Sequence, residues 1–184
     1  MDVKADGVLL IVNWHTTNEL FRSNACIESN LILVSGIGIP RLPTRRVLHR
    51  LSTEFNLPVY VLCDNDTWGY FMFSVLKRGL MGPHVRYPFL AVQDLRYLGL
   101  RAGEYRSLGF DEKLLIPWKR HYDIRINHLR KYSCFRGSKW QREFSDFRRQ
   151  HGGFEVNAAC GLLGTKTFLR KCILDKLDQG DFLT

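Results

Sequence analysis

Apolar residues recur along this chain with two periods, and the alternation between them outlines a fold. Val8-Leu9-Leu10-Ile11-Val12, Leu31-Ile32-Leu33-Val34, Val59-Tyr60-Val61-Leu62-Cys63 and Leu95-Arg96-Tyr97-Leu98-Gly99-Leu100 are short, apolar-rich runs bounded by polar or turn-forming residues. Such near-continuous runs suit strands covered on both faces. Between them the spacing predicts helices. Thr16 to Arg22 is a short one. A second follows Pro43, a residue suited to a first helical turn, with Val47, Leu48, Leu51 and Phe55 as its apolar stripe and Arg45, Arg46, His49 and Arg50 on the exposed side. Trp68 to Lys77 is a third, closed by Gly79, and the last strand is reached through a loop containing Pro83 and Pro88. This β-α-β-α-β order, with right-handed crossovers, gives an α/β fold: a Rossmann-like parallel sheet with helices on both faces. From about Gly109 the pattern turns helical, over Tyr122 to Lys131, Trp140 to Gln150, Glu155 to Leu162 and Phe168 to Leu177. The expected organisation is an α/β core over residues 1–108 and a basic, mainly helical part over 109–184 packed on the same domain.

Composition narrows the class. The 184 residues, 45% of them hydrophobic, suffice for one sizeable core. The longest apolar runs are strand-sized, far short of a membrane span, and Asp2, Lys4 and Asp6 do not form a signal-peptide pattern, so an intracellular protein is expected. Cys26, Cys63, Cys134, Cys160 and Cys172 are odd in number and widely spaced, which argues for reduced thiols and against a disulfide framework or zinc site. The net charge of +9 is concentrated between Lys119 and Arg149, which holds ten Lys or Arg against Asp123, Glu143 and Asp146. Trp118, Tyr122, Tyr132, Phe135, Trp140, Phe144 and Phe147 are interleaved with those cations, so the segment is expected to fold and to present a surface to a polyanion. A merely solvated helical face is the plainer alternative.

The candidate chemistry lies where the third run stops, at Asp64-Asn65-Asp66-Thr67-Trp68-Gly69. In open α/β sheets ligands bind beyond the carboxyl ends of the strands. Residues two apart on an extended chain project to the same side. Two adjacent carboxylates repel one another unless a proton or cation intervenes, and a hard ion such as Mg2+ resolves that conflict. Asn13 occupies the equivalent end of the first run, and Gly36 and Gly38 form a turn after the second that allows close approach of a ligand. An Asx turn with solvated acids is the plain alternative. An aspartyl phosphatase would need a threonine four residues after the first aspartate, where Trp68 stands.

Val34-Ser35-Gly36-Ile37-Gly38-Ile39-Pro40, Thr44-Arg45-Arg46, Asn56-Leu57-Pro58-Val59 and Asp64-Asn65-Asp66 with Trp68-Gly69-Tyr70 together resemble the Toprim domain of the topoisomerase VI A subunit, a family that includes the protein making meiotic double-strand breaks. Gln93-Asp94-Leu95-Arg96-Tyr97-Leu98-Gly99-Leu100, Trp140-Gln141-Arg142-Glu143 and Gly180-Asp181-Phe182-Leu183 resemble its later segments, the last two its helical tail. The resemblance implies a Toprim-like fold with a helical C-terminal extension, Mg2+ on Asp64 and Asp66, and tyrosine-mediated cleavage of double-stranded DNA. It implies phosphate contacts from Arg45, Arg46, Gly36 and Gly38, to which the basic segment adds Arg142, Arg148 and Arg149. Where the family carries a glutamate, this chain has Asn13, a carbonyl oxygen without charge and so a weaker ligand. The family's nucleophilic tyrosine belongs to a preceding domain, so no catalytic residue is expected here and the chain reads as a fragment, a short relative or half of a split protein. Expected partners are double-stranded DNA, a second copy of the chain and an ATP-binding B-type subunit, with no membrane, and the expected location is the nucleoid or nucleus. The competing expectation is a non-catalytic DNA-binding or dimerisation module with a decayed metal site.

Overall fold

The computed structural model describes residues 4–80 and 87–184, without the side chains of residues 25 and 26; Asp2, Pro83 and the Cys26 thiol lie outside the described residues. Strands β1 (Gly7–Ile11), β2 (Leu31–Ser35), β3 (Val59–Leu62) and β4 (Leu95–Gly99) are the four apolar runs. All their pairings are parallel, in the order β2-β1-β3-β4, with Ile11 opposite Leu62 and Val59 opposite Leu95. The connecting helices are α1 (Trp14–Arg22), α2 (Ala25–Ser29), α3 (Leu42–Thr53) and α4 (Thr67–Arg78). Gly79 caps α4 in the left-handed conformation, as its position predicted.

The strands are apolar throughout because both of their faces are covered. Val8, Leu10, Val59, Val61 and Tyr97 face a core shared with Leu48, Tyr70 and Phe73. Completing that core are α6 (Arg120–Leu129) and α7 (Ser138–Gln150), which follow the short α5 (Glu104–Ser107). Leu9, Ile11, Tyr60, Leu62 and Leu98 face the opposite core, built with α8 (Val156–Leu163), α9 (Thr165–Phe168), a π-helical turn Leu169–Leu174 and α10 (Asp175–Asp178). The helices of the second half therefore supply both layers.

Three features depart from the pattern. On α3 the buried residues are Arg45 and Leu48, while Val47 is exposed, so the helix is rolled by about one position from the predicted stripe. The long Arg45 stem is buried with its guanidinium, which donates to the Val75 carbonyl of α4 at 3.4 Å, so α3 and α4 pack through it. The tail 180–183 is not helical: Leu183 makes an antiparallel bridge to Tyr97, and Arg101 and Asp181 form an ion pair across it. A two-residue ladder, β5 (Ile116–Pro117) with β6 (Gly152–Gly153), brings the chain after α7 back beside β3.

Candidate metal centre

Beyond the carboxyl ends of β1 and β3 lies a crevice of about 270 Å3 lined by Val12, Gly38, Ile39, Cys63, Asp64, Asp66, Trp68, Gly69 and Met72. Both aspartates and one glycine of the predicted turn meet there. Gly38 has φ of 63°, the left-handed region, and its missing Cβ would point into open space. Gly36 is buried and its N–H donates to the Ile11 carbonyl, so it joins the turn to β1.

Among the described residues each acid is held through one oxygen. Oδ1 of Asp66 caps α4, accepting from the N–H groups of Trp68 at 2.9 Å and Gly69 at 2.7 Å. Oδ1 of Asp64 accepts from Val156 N–H at 2.8 Å, across from the start of α8. The close approach of α4 to β3 requires Gly69, where a Cβ would stand 2.3 Å from the Asp64 carbonyl oxygen. Burial pushes the Asp64 carboxyl up to about 6, against the pull of the Val156 N–H, and the charges of Asp66 and Glu155 push the same way. Asp66 is also raised by burial, with its capping N–H groups and Arg125 opposing and Glu155 reinforcing.

Glu155 enters through backbone pairing. Asn65 and Phe154 bridge antiparallel with both hydrogen bonds made, and both side chains are buried. Their neighbours alternate to the other side, so Glu155 falls on the side of Asp64 and Asp66. Among the described residues no three His, Cys, Asp or Glu converge to hold a metal ion. Among the described residues the donor set is thus two carboxylates, each with its second oxygen left for another partner there, on an acid pair whose ionisation burial opposes. That set fits Mg2+, which is commonly held by one or two carboxylates with waters and substrate phosphates completing its shell.

Register extension from Ile11 opposite Leu62 brings Asn13 level with Asp64. Its Oδ1 caps α1, accepting from Thr16 N–H at 3.0 Å, and Asn13 does not line the crevice. Of the predicted phosphate contacts, Arg46 is exposed, whereas Arg45 is only 2% exposed. The buried guanidinium ties α3 to α4, a structural role beside the phosphate contact expected of it. Arg142 and Arg149 are exposed on α7, Arg149 near Asp146. Arg148 is half-buried, donating to Asn127 Oδ1 at 2.7 Å and pairing with Asp123.

Sequence reasoning missed the support beneath the acids. Glu143 of α7 is buried; its Oε1 accepts from Tyr70 Oη at 2.6 Å and from Ala102 N–H at 2.8 Å. Tyr70 Oη in turn accepts from Asn65 Nδ2 at 2.7 Å, and Asn65 Oδ1 accepts from Gln150 Nε2 at 2.8 Å. The residue between the two aspartates is thereby fastened to α4 and α7. Burial raises the Glu143 carboxyl while the Tyr70 hydroxyl and Ala102 N–H lower it. A signal existed in the sequence: Glu143 falls on the apolar stripe of Trp140, Phe144 and Phe147.

Comparison with known proteins agrees with this geometry. The family model for the Toprim domain of the topoisomerase 6 A subunit and Spo11 matches residues 8–176. Over 192 residues the chain is 28% identical to the A subunit of Type 2 DNA topoisomerase 6 of Saccharolobus shibatae, covering 100% of this chain and 49% of that protein. It is 28% identical over 182 residues to Meiotic recombination protein SPO11 of Mus musculus, covering 97% of this chain and 46% of that protein. The chain thus spans about half the length of these relatives. Among the described residues no helix is long and apolar enough to cross a membrane. With the parallel sheet, the acid pair at the end of β3 and a match over most of its length, this chain belongs to the family of Spo11 and the topoisomerase 6 A subunit, as a Toprim domain.

Proposed function

We propose that this Toprim domain carries Mg2+ on Asp64 and Asp66 and supports tyrosine-mediated cleavage of double-stranded DNA, with the nucleophile coming from outside residues 1–184. The observation that supports it most is the convergence of two partly buried carboxylates on one crevice, each pinned through a single oxygen. When bound, the ion would supply positive charge for a phosphodiester and its developing oxyanion. The protein's part is positional. The N–H groups of Val156, Trp68 and Gly69 fix both carboxylates, and the Glu143, Tyr70 and Asn65 network holds the intervening backbone. Gly38 in the crevice wall and the exposed Arg46 of α3 are the phosphate contacts in this reading, with Arg142 and Arg149 as further contacts to the duplex. No tyrosine lines the crevice, and Tyr70 and Tyr97 are buried with burial raising both hydroxyls well above their ordinary range. Working partners in this reading are DNA, a second copy of the chain and a B-type subunit, the last in keeping with relatives that are named as A subunits; the location is wherever that DNA is.

The capping role of Asn13 favours a second reading, a DNA-binding or dimerisation module whose metal site has lost its function. Melting the chain in chelator and in millimolar Mg2+ separates the two. The first reading expects Mg2+ to raise the melting temperature of the wild type and to do nothing for Asp64→Asn with Asp66→Asn. An unchanged wild-type melt in Mg2+ favours the second.

A further inference from the structure

We propose that Trp68 and the apolar wall beside it form a stacking platform for one unpaired nucleobase next to the Asp64 and Asp66 pair. The inference rests on the DNA reading above and adds to it a base-binding subsite. Trp68 is the second residue of α4, two after Asp66, is 54% exposed and lines the crevice together with Val12, Ile39 and Met72. About half of the indole surface is therefore open to solvent and to the crevice. Its orientation is nevertheless fixed: the Arg125 guanidinium lies 3.8 Å from the ring centroid and donates to Thr67 Oγ1 at 3.1 Å, and Phe71 meets the ring edge-on at 5.9 Å. Trp68 lines the crevice and Arg125 does not, so the guanidinium and the cavity meet different parts of the indole.

The chemistry selects a nucleobase. A cavity of about 270 Å3 falls below the roughly 300–1,000 Å3 of drug-sized sites, which suits a single planar ring system. A rigid indole backed by a guanidinium is the arrangement on which bases stack, and every base offers a π-face, so the contact needs no sequence. The carboxylates next door, neutralised by a cation, would hold the phosphate of the same nucleotide or its neighbour. Arg125 belongs to the cation-rich segment Lys119 to Arg149, which complements a nucleic-acid strand and not an apolar peptide. A base inside an intact duplex cannot reach the ring, so the ligand is a base already out of its stack.

Two duplexes of one sequence test this, one with a single-base bulge of 2-aminopurine and one with an abasic unit at the bulge, so that backbone and charge are alike. Binding is followed by anisotropy in Mg2+, and stacking by 2-aminopurine emission. The full chain should bind the base-containing bulge about tenfold tighter, within the ~1–3 kcal/mol measured for one stacked base, and should quench its emission. Trp68→Ala should abolish both the preference and the quench, and Trp68→Phe should retain part of each. Equal affinity for the two bulges, or a quench that survives in Trp68→Ala, overturns the platform while leaving the DNA reading intact. A Trp68→Ala chain that keeps its base preference but changes oligomeric state in sedimentation also overturns it, by showing that the indole covers a protein. Failure to bind either duplex removes the platform and the DNA reading together.

Discussion

Asp64 shows how the crevice works against itself without a cation. An unfolded aspartate titrates near 3.9, whereas in the fold burial moves Asp64 up to about 6. The folded state therefore holds its proton more tightly than the unfolded chain. Its stabilising contribution is present below about pH 4, declines as pH rises through 6 and is absent above that. Asp64→Asn, which keeps an acceptor for Val156 N–H, should melt like the wild type at pH 4 and higher than the wild type at pH 7.5 in chelator. With about 1.4 kcal/mol for each tenfold change in proton affinity, the gain is at most about 3 kcal/mol. A melting difference independent of pH would show that the raised titration of Asp64 does not reach stability. Glu155→Gln should move Asp64 downward in an NMR titration, because it removes one of the charges that oppose ionisation. That the two aspartates share a side was legible from their spacing alone. Glu155 was not, since its proximity depends on the bridge from Phe154 to Asn65, a contact between residues far apart in sequence.

At the scale of elements, local rules did well where a segment's own residues decide its structure. The apolar runs became strands, Gly79 closed α4, and Trp140 to Gln150 became helical. They failed where a partner decides. The roll of α3 follows from the burial of Arg45 against α4, and a basic residue in a charged stretch reads as exposed until that neighbour is known. The pairing of Leu183 with Tyr97 likewise depends on the sheet edge that β4 offers. Glu143 is the case with consequences for the acids. Glu143→Ala would orphan the Tyr70 hydroxyl and Ala102 N–H in the interior, at about 1–3 kcal/mol for each buried group left unsatisfied. The unfolding free energy from urea denaturation should fall by an amount within that range or above it, with an unchanged slope, and Glu143→Gln, which still accepts from both, should lose much less. A Glu143→Ala unfolding free energy within about 0.5 kcal/mol of the wild type, the usual effect of an incidental surface change, would mean that the network does not hold the acid loop.

The whole molecule carries its excess charge unevenly, and the structure shows which cations of the basic segment are open to a polyanion. On α7 the apolar stripe of Trp140, Phe144 and Phe147 packs into the core, which leaves Lys139, Arg142 and Arg149 exposed on the far side of the helix. Arg148 is directed instead to Asp123 and Asn127 of α6, where it joins the two helices. The three arginines that the sequence groups together should therefore behave differently. Phosphate contacts release counterions, and each one lost lowers the slope of log K against log salt by about 0.9 on duplex DNA. Arg142→Glu with Arg149→Glu should weaken binding on all duplex sequences alike and flatten the slope by about two such steps, with little change in melting temperature. Arg148→Ala should lower the melting temperature, since it unties α6 from α7, while leaving the salt slope near that of the wild type. The opposite result, a flattened slope from Arg148→Ala and none from the double reversal, would place the DNA on the α6 side of the molecule and remove the outer face of α7 from the interface.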